Sequence, residues 1–307
     1  MEEQKPEVKA EVKEVVRYVK TVSTYRFSKK LMEDFTSEPD LADAYRVREV
    51  KYDNAGNVLL ETEFNEDGTI SEKYERKYDE KGNSTEMCHF FESELAEKTS
   101  YHYNSNAQPE KEILHYADGS ETVTSYSYDS ENNLAEKKVV DSDGELESRE
   151  TFKHSAKEII EHCHYDAEGN LKESTKYFYD TVTPEKLKEE INYQAEHNIE
   201  LRTVYLDDET GSITYNKEGK THSRQKLIYD EKKRVTENVL ETFNGRYYYV
   251  FGYDEKDNLI SEERQLNGNI YFKVLNKWDE NKLLLIRSVT DVNTGFFCDL
   301  FRYEFWE

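Results

Sequence analysis

Along most of the chain, apolar and polar positions alternate in short bursts of seven to ten residues, and each burst ends in a cluster of Asp, Asn and Gly. Leu171-Lys172-Glu173-Ser174-Thr175-Lys176-Tyr177-Phe178-Tyr179 is a representative burst. Alternation with period two, β-branched and aromatic enrichment and regularly spaced turn signals predict β-strands. The turns are tight, so they join antiparallel neighbours. The Asp, Asn and Gly residues supply positive φ or bonds from side chain back to backbone.

The punctuation is periodic. Tyr52-Asp53-Asn54-Ala55-Gly56-Asn57-Val58 is followed by Tyr78-Asp79-Glu80-Lys81-Gly82-Asn83, and the motif returns at Tyr165-Asp166-Ala167-Glu168-Gly169-Asn170-Leu171. Looser copies start at Tyr128, Tyr229, Tyr253 and Trp278, and decayed ones at Tyr103-Asn104 and Phe152-Lys153-His154-Ser155. A second set of turns, such as Phe64-Asn65-Glu66-Asp67-Gly68 and Val140-Asp141-Ser142-Asp143-Gly144, falls between them. The unit is a strand and a turn of about 12–13 residues, doubled to about 25. The expected fold is all-β: a long antiparallel meander of about twenty strands from Arg46 onward, as a single-layer or gently spiralled sheet. Laid flat, it would extend nearly 100 Å at about 4.8 Å per strand.

Three segments are expected. Residues 1–14, rich in Glu and Lys, read as a disordered charged tail. Residues 15–44 read as an N-terminal strand over Val15–Phe27 and a short helix from Ser28 to Phe35 capped by Ser28. Residues 45–307 are the repeat array, with a more hydrophobic C-terminal cap from about 239. Tyr247-Tyr248-Tyr249-Val250-Phe251 and Leu283-Leu284-Leu285-Ile286 mark that change.

Composition narrows the function. The 307 residues carry a formal net charge of −24, so no basic footprint for nucleic acid exists and an anionic membrane surface is disfavoured. No apolar run reaches the roughly 20 residues of a membrane helix, and no signal peptide is visible at Met1. The 24 Tyr and 14 Phe oppose disorder, because a thin sheet with half-wetted faces suits the amphipathic Tyr ring. Cys88, Cys163 and Cys298 are an odd set; on a flat sheet the first two would stand about 29 Å apart, and all three read as small apolar residues.

Chemistry is sparse. His89, His102 and His115 recur every 13 residues, but alternate turns put His102 at the far end. His162 and His164 share one strand face and read as polar strand residues. Asp141-Ser142-Asp143-Gly144 places its Gly too early for a calcium loop. No nucleophile elbow, phosphate loop or zinc spacing is present. The expectation is no enzyme, no cofactor and no metal. The aromatic pairs Tyr101/Tyr103, Tyr126/Tyr128 and Tyr177/Tyr179 each put two rings on one face before a turn, forming a column along one sheet edge. They read first as cross-strand packing and second as a binding platform. With Tyr247, Tyr249, Phe301, Tyr303, Phe305 and Trp306, they are the candidate binding residues.

The repeated Tyr-Asp-x-x-Gly-Asn-Leu motif resembles the bacterial YD-repeat (Rhs-type) family over Tyr45 to Asp279, most closely at Tyr165–Leu171. The resemblance implies long, curling antiparallel sheets, a surface or envelope setting, and carbohydrate binding as a proposed activity. Large members encapsulate toxins; this chain is too short for that and has no recognisable toxin domain. The expected function is a non-catalytic repeat scaffold that binds another protein, in the envelope if a leader has been trimmed and in the cytoplasm otherwise. A carbohydrate-binding surface protein is the alternative, and a remnant hydrolase the second.

Overall fold

A computed structural model describes residues 18–27 and 41–306. The reading of 1–14 as a tail and the helix capped by Ser28 lie outside these residues. The strand expected near Val15–Phe27 is present as β1, Val19–Phe27. It is followed by a 3-10 turn at Leu41–Asp43 and by twenty-one strands, from β2 (Tyr45–Tyr52) to β22 (Gly295–Phe305). Every strand pairs antiparallel with its neighbour in sequence, so the fold is the expected all-β meander.

The meander also closes on itself. β1 pairs with β2 on one side and β22 on the other, and Ser23 lies opposite both Glu49 and Arg302. The result is a 22-stranded closed barrel with no free sheet edge. Its contour of about 106 Å, at 4.8 Å per strand, would give a ring roughly 34 Å across before strand tilt, in place of an extended ribbon.

Register slips recur along the meander, at the Tyr-Asp turns and at positions such as Glu63/Phe64 and His89/Phe90. At each Tyr-Asp turn the register slips by one residue at the aromatic position: Lys51/Tyr52, Lys77/Tyr78, His102/Tyr103, Ser127/Tyr128, Phe178/Tyr179, Ile228/Tyr229, Gly252/Tyr253 and Lys277/Trp278. Each slip is a β-bulge, which bends its strand and increases twist. The turns that follow share one geometry, except the longer one after Tyr179, where Asp180 N–H donates to Lys186 O. Asp53 N–H donates to Asn57 O at 2.9 Å, while Asp53 Oδ1 accepts from the amides of Ala55 and Asn57, each at 2.8 Å. Gly56 takes the left-handed position at φ 88°, but Asn132, Lys233 and Lys282 hold it at 63–64° in equivalent turns. The leading Asp fixes the loop, so the glycine can decay.

The aromatic ring of each motif joins consecutive turns along one rim. The hydroxyls of Tyr78, Tyr103, Tyr128, Tyr179, Tyr253 and Tyr303 donate to the carbonyls of Val58, Ser84, Pro109, Ile159, Val235 and Leu284, at 2.6–2.9 Å. Trp278 Nε1–H does the same to Leu259 O, and the Tyr229 hydroxyl to Glu209 O. Each acceptor sits 18 to 20 residues back, within two residues of the start of the preceding strand. Tyr165 is different: its turn joins β11 to β12 at the opposite rim, so this closest copy of the motif is out of phase with the others. In the copy keeping only an aromatic at Phe152, Ala156 at φ 56° makes a tight hairpin instead.

The buried hydrophobic cluster lies at the seam, while Val239 and Val274 are buried outside it. Phe27, Ile286, Cys298 and Leu300 form a buried cluster, with Tyr25, Ala44, Leu285 and Phe296 against it. Arg26 Nε and Nη2 donate to Asp299 Oδ1 and Oδ2 at 2.8 and 2.9 Å, joining β1 to β22. The hydrophobic C-terminal third therefore supplies the residues that close the ring.

Candidate functional site

Cross-strand partners share a face and successive residues alternate, so the register assigns every side chain to one of two surfaces. Glu75, Lys77, Lys138, Lys153, Lys176, Arg202, Lys226, Arg246 and Lys273, all exposed, fall on the same one, which we take as the outer, convex face; Arg48, Glu63, Glu173 and Arg287 are exposed on the other. That face is laced by ion pairs. Glu86 receives both Lys77 and Lys98, at 2.6 and 2.5 Å, and these two ammonium groups pull its carboxyl down to about 2. Arg202 grips Glu189, and Lys153 pairs with Glu161.

The inner face is aromatic and acidic. It carries Tyr101, Tyr126, Tyr177, Tyr247 and Tyr249, so the structure brings the candidate tyrosines to one wall. Two clusters stand out. Tyr101 lies opposite Glu112, and the Tyr126 hydroxyl donates to Glu112 Oε1 at 2.9 Å. Tyr177 lies opposite Glu190, whose charge also acts on Tyr205. Burial, then the bond to Glu112, raises the Tyr126 phenol; burial, then the Glu190 charge, pushes Tyr205 to about 12. Among the described residues, Glu97, Glu112, Glu173 and Glu190 form no ion pair with Lys, Arg or His, whereas Glu61 is met by Arg48 and Arg76, and Glu150 by Lys137.

The outer members of each aromatic pair have structural duties. Tyr103, Tyr128, Tyr179 and Tyr303 are the rim donors described above. Phe301, Tyr303 and Phe305 line a hollow of about 580 Å³ with Val19 and Leu285 at the seam. Tyr303 stacks on Phe305 at 6.5 Å between centroids, Lys20 lies over the Trp306 ring, and Trp306 N–H bonds Tyr18 O.

The histidines separate. His89 faces inward, stacked on Tyr74 at 4.4 Å with Glu72 3.4 Å from its Nε2, while His102 and His115 face outward. His162 and His164 do share the inner face, and His162 stacks on Phe152 and bonds Glu150 at 2.9 Å. No grouping of three or more potential metal ligands exists among the described residues. Glu112 and Glu190 were invisible to the sequence reading. Their only signal was an acidic residue on the strand that faces each Tyr pair, and 66 acidic residues hide it.

No family model matches the chain, and no curated protein does. Among solved structures it is similar to TcdB2-TccC3, at 12% identity and a TM-score of 0.38, over 88% of this chain and 18% of that one. A TcdB2-TccC3-TEV structure matches at a TM-score of 0.33 and 12% identity, over 80% of this chain and 16% of that one. A porin-like protein from Bacteroides uniformis matches at 7% identity and a TM-score of 0.31, over 93% and 96%. The chain thus spans less than a fifth of the TcdB2-TccC3 chains it matches.

Proposed function

We propose that the protein is a non-catalytic barrel scaffold that binds another protein, taking a cationic, extended segment of it against the inner wall. The observation that carries this reading is the pair of Tyr-Glu-Tyr clusters, Tyr101–Glu112–Tyr126 and Tyr177–Glu190–Tyr205. Each sets an uncompensated carboxylate beside aromatic rings on a shared face. Carboxylate plus ring face recognises Lys and Arg through ion pairing and cation–π attraction. The repeated Tyr-Asp turn supports assignment to YD-type repeat scaffolds.

The outer face argues against membrane insertion. A Lys or Arg facing lipid at the bilayer midplane costs about 2–4 kcal/mol, and Lys77, Lys138, Lys153, Arg202, Lys226 and Lys273 all project outward. An aqueous setting on the bacterial surface or in the envelope is the compartment we favour. A glycan partner would use the same tyrosine rings without the carboxylates.

The test is titration calorimetry with a Lys/Arg-rich 12-residue peptide, a Glu-rich peptide and a panel of oligosaccharides. We expect the basic peptide to bind, and Glu112→Gln/Glu190→Gln to weaken it at least tenfold while the far-UV spectrum stays unchanged. Binding by an oligosaccharide that the double variant leaves intact would replace this reading with the carbohydrate one. Equal binding of the acidic and basic peptides would overturn it.

A further inference from the structure

On the outer face of β14–β18, where β15 (Gly211–Asn216) is the shortest strand of the sheet, the surface is indented rather than convex. Gly211 opens this strand at φ 151°, and a Cβ there would stand 2.0 Å from Gln225 O, so β15 lies hard against β16. The indentation is a hollow of about 300 Å³. Its floor is Val239, which is 3% exposed, and its apolar sides are Ile213 and Leu206. Away from the seam strands, few side chains on this face are buried so far.

Three cations ring the hollow. Arg246 is held by Glu241 at 3.2 Å and lies over the Tyr248 ring. Arg224 and Lys226, adjacent to Ile213 and Val239 across the strands, have no hydrogen-bonded or ion-paired side-chain partner among the described residues, although Arg224 lies opposite Glu241 in the register. Lys138 and Lys273 on the same face also lack a side-chain partner among the described residues; what sets Arg224 and Lys226 apart is the apolar floor beside them. An unpaired Arg beside buried apolar surface is the complement of a carboxylate attached to an apolar body.

We infer that this hollow is a binding site for a small amphipathic monocarboxylate, with the carboxylate on Arg224 and Lys226 and the aliphatic or aromatic body over Val239 and Ile213. The volume suits a single small molecule rather than a folded partner. Glu241, on the same rim, disfavours a second negative charge on the ligand. This site is on the outside of the barrel and is independent of the inner-wall clusters.

The test uses the full chain and octanoate, with octylamine and 1-octanol as chain-matched probes, read by calorimetry and by NMR shifts of the Val239 and Ile213 methyls. Octanoate should bind and move both methyl signals. Arg224→Ala should weaken it at least tenfold and Lys226→Ala about threefold, whereas Lys153→Ala, an outward lysine elsewhere, should leave it unchanged. Octanol or octylamine binding as tightly as octanoate would overturn the proposal, as would octanoate binding that survives Arg224→Ala. Failure of octanoate to shift the methyls at about 10 mM, roughly one decade above a millimolar Kd, would overturn it too.

Discussion

Replacing the rim tyrosines by phenylalanine isolates the hydrogen bond that links successive Tyr-Asp turns. Tyr78→Phe, Tyr103→Phe and Tyr253→Phe keep the ring and delete one donor each, at 2.8, 2.8 and 2.9 Å from the carbonyl. These groups are partly shielded, so the orphaned carbonyl regains water incompletely. The loss should be about 1 kcal/mol each, within the roughly 0.5–1.5 range of a net intramolecular hydrogen bond. Tyr128 and Tyr229 bond in exposed surroundings, where water replaces the donor, and should lose about half as much. Tyr78 and Tyr253 are far apart around the ring, so their double variant should lose about 2 kcal/mol by additivity. Urea unfolding followed by circular dichroism reads this as a midpoint shift of about 0.3 M per kcal/mol, taking a slope of about 3 kcal/mol/M. Neutral substitutions at all three shielded positions would refute the rim bonds. A larger loss at exposed Tyr128 than at Tyr78 would refute the role assigned to shielding.

Other outcomes follow from the turns, the thiols and the seam. The carboxyls of Asp53, Asp79 and Asp254 are held below the ordinary range, chiefly by the side-chain amides of Asn57, Asn83 and Asn258. A depressed folded value contributes stability above the unfolded value of about 3.9 that is lost as pH falls through the folded one. Urea midpoints should hold down to about pH 4 and then drop, and Asp254→Asn should make the drop shallower. Burial pushes the Cys298 thiol up to about 11, and the residue is wholly inaccessible, so a thiol reagent at pH 8 should leave it unlabelled until urea is added. Cys88 and Cys163 are half-buried on the outer face and should react faster. Arg26→Ala strands the Asp299 carboxylate, whose side chain is 10% exposed, and should cost about 1.5–2 kcal/mol, the lower part of the charged hydrogen-bond range because Arg26 is one-third exposed.

Much of this architecture is legible in the residues. The alternation in Leu171–Tyr179 and the Asp-x-x-Gly-Asn turns place β12 and its neighbours, because strand period and turn chemistry are local properties. The inner-wall tyrosines are legible for the same reason: Tyr101 and Tyr126 precede turns at one rim by a fixed count. Ring closure is not local. It depends on β1 finding β22 some 270 residues away, as in the Arg26–Asp299 pair separated by 273. The partners of Tyr126 and Tyr205 depend on cross-strand register, so Glu112 and Glu190 could not be chosen from so many acidic residues. Tyr165 shows the converse: the closest match to the motif lies at the wrong rim, because a 12–13-residue half-period puts equivalent turns at both ends.

The most direct test of the account is the distance across the seam. With Cys88, Cys163 and Cys298 replaced by alanine, Ser23→Cys and Arg302→Cys can carry nitroxide labels on register partners of β1 and β22. Spectra are recorded in a tenfold excess of unlabelled protein. A closed barrel predicts strong dipolar broadening that dilution does not remove, since partners in neighbouring strands lie about 5 Å apart at Cα. Unbroadened spectra, as expected for strands nearly 100 Å apart at the ends of an open ribbon of about 4.8 Å per strand, would contradict the closed ring. Broadening that disappears on dilution would contradict it equally, by showing that β1 pairs with another copy.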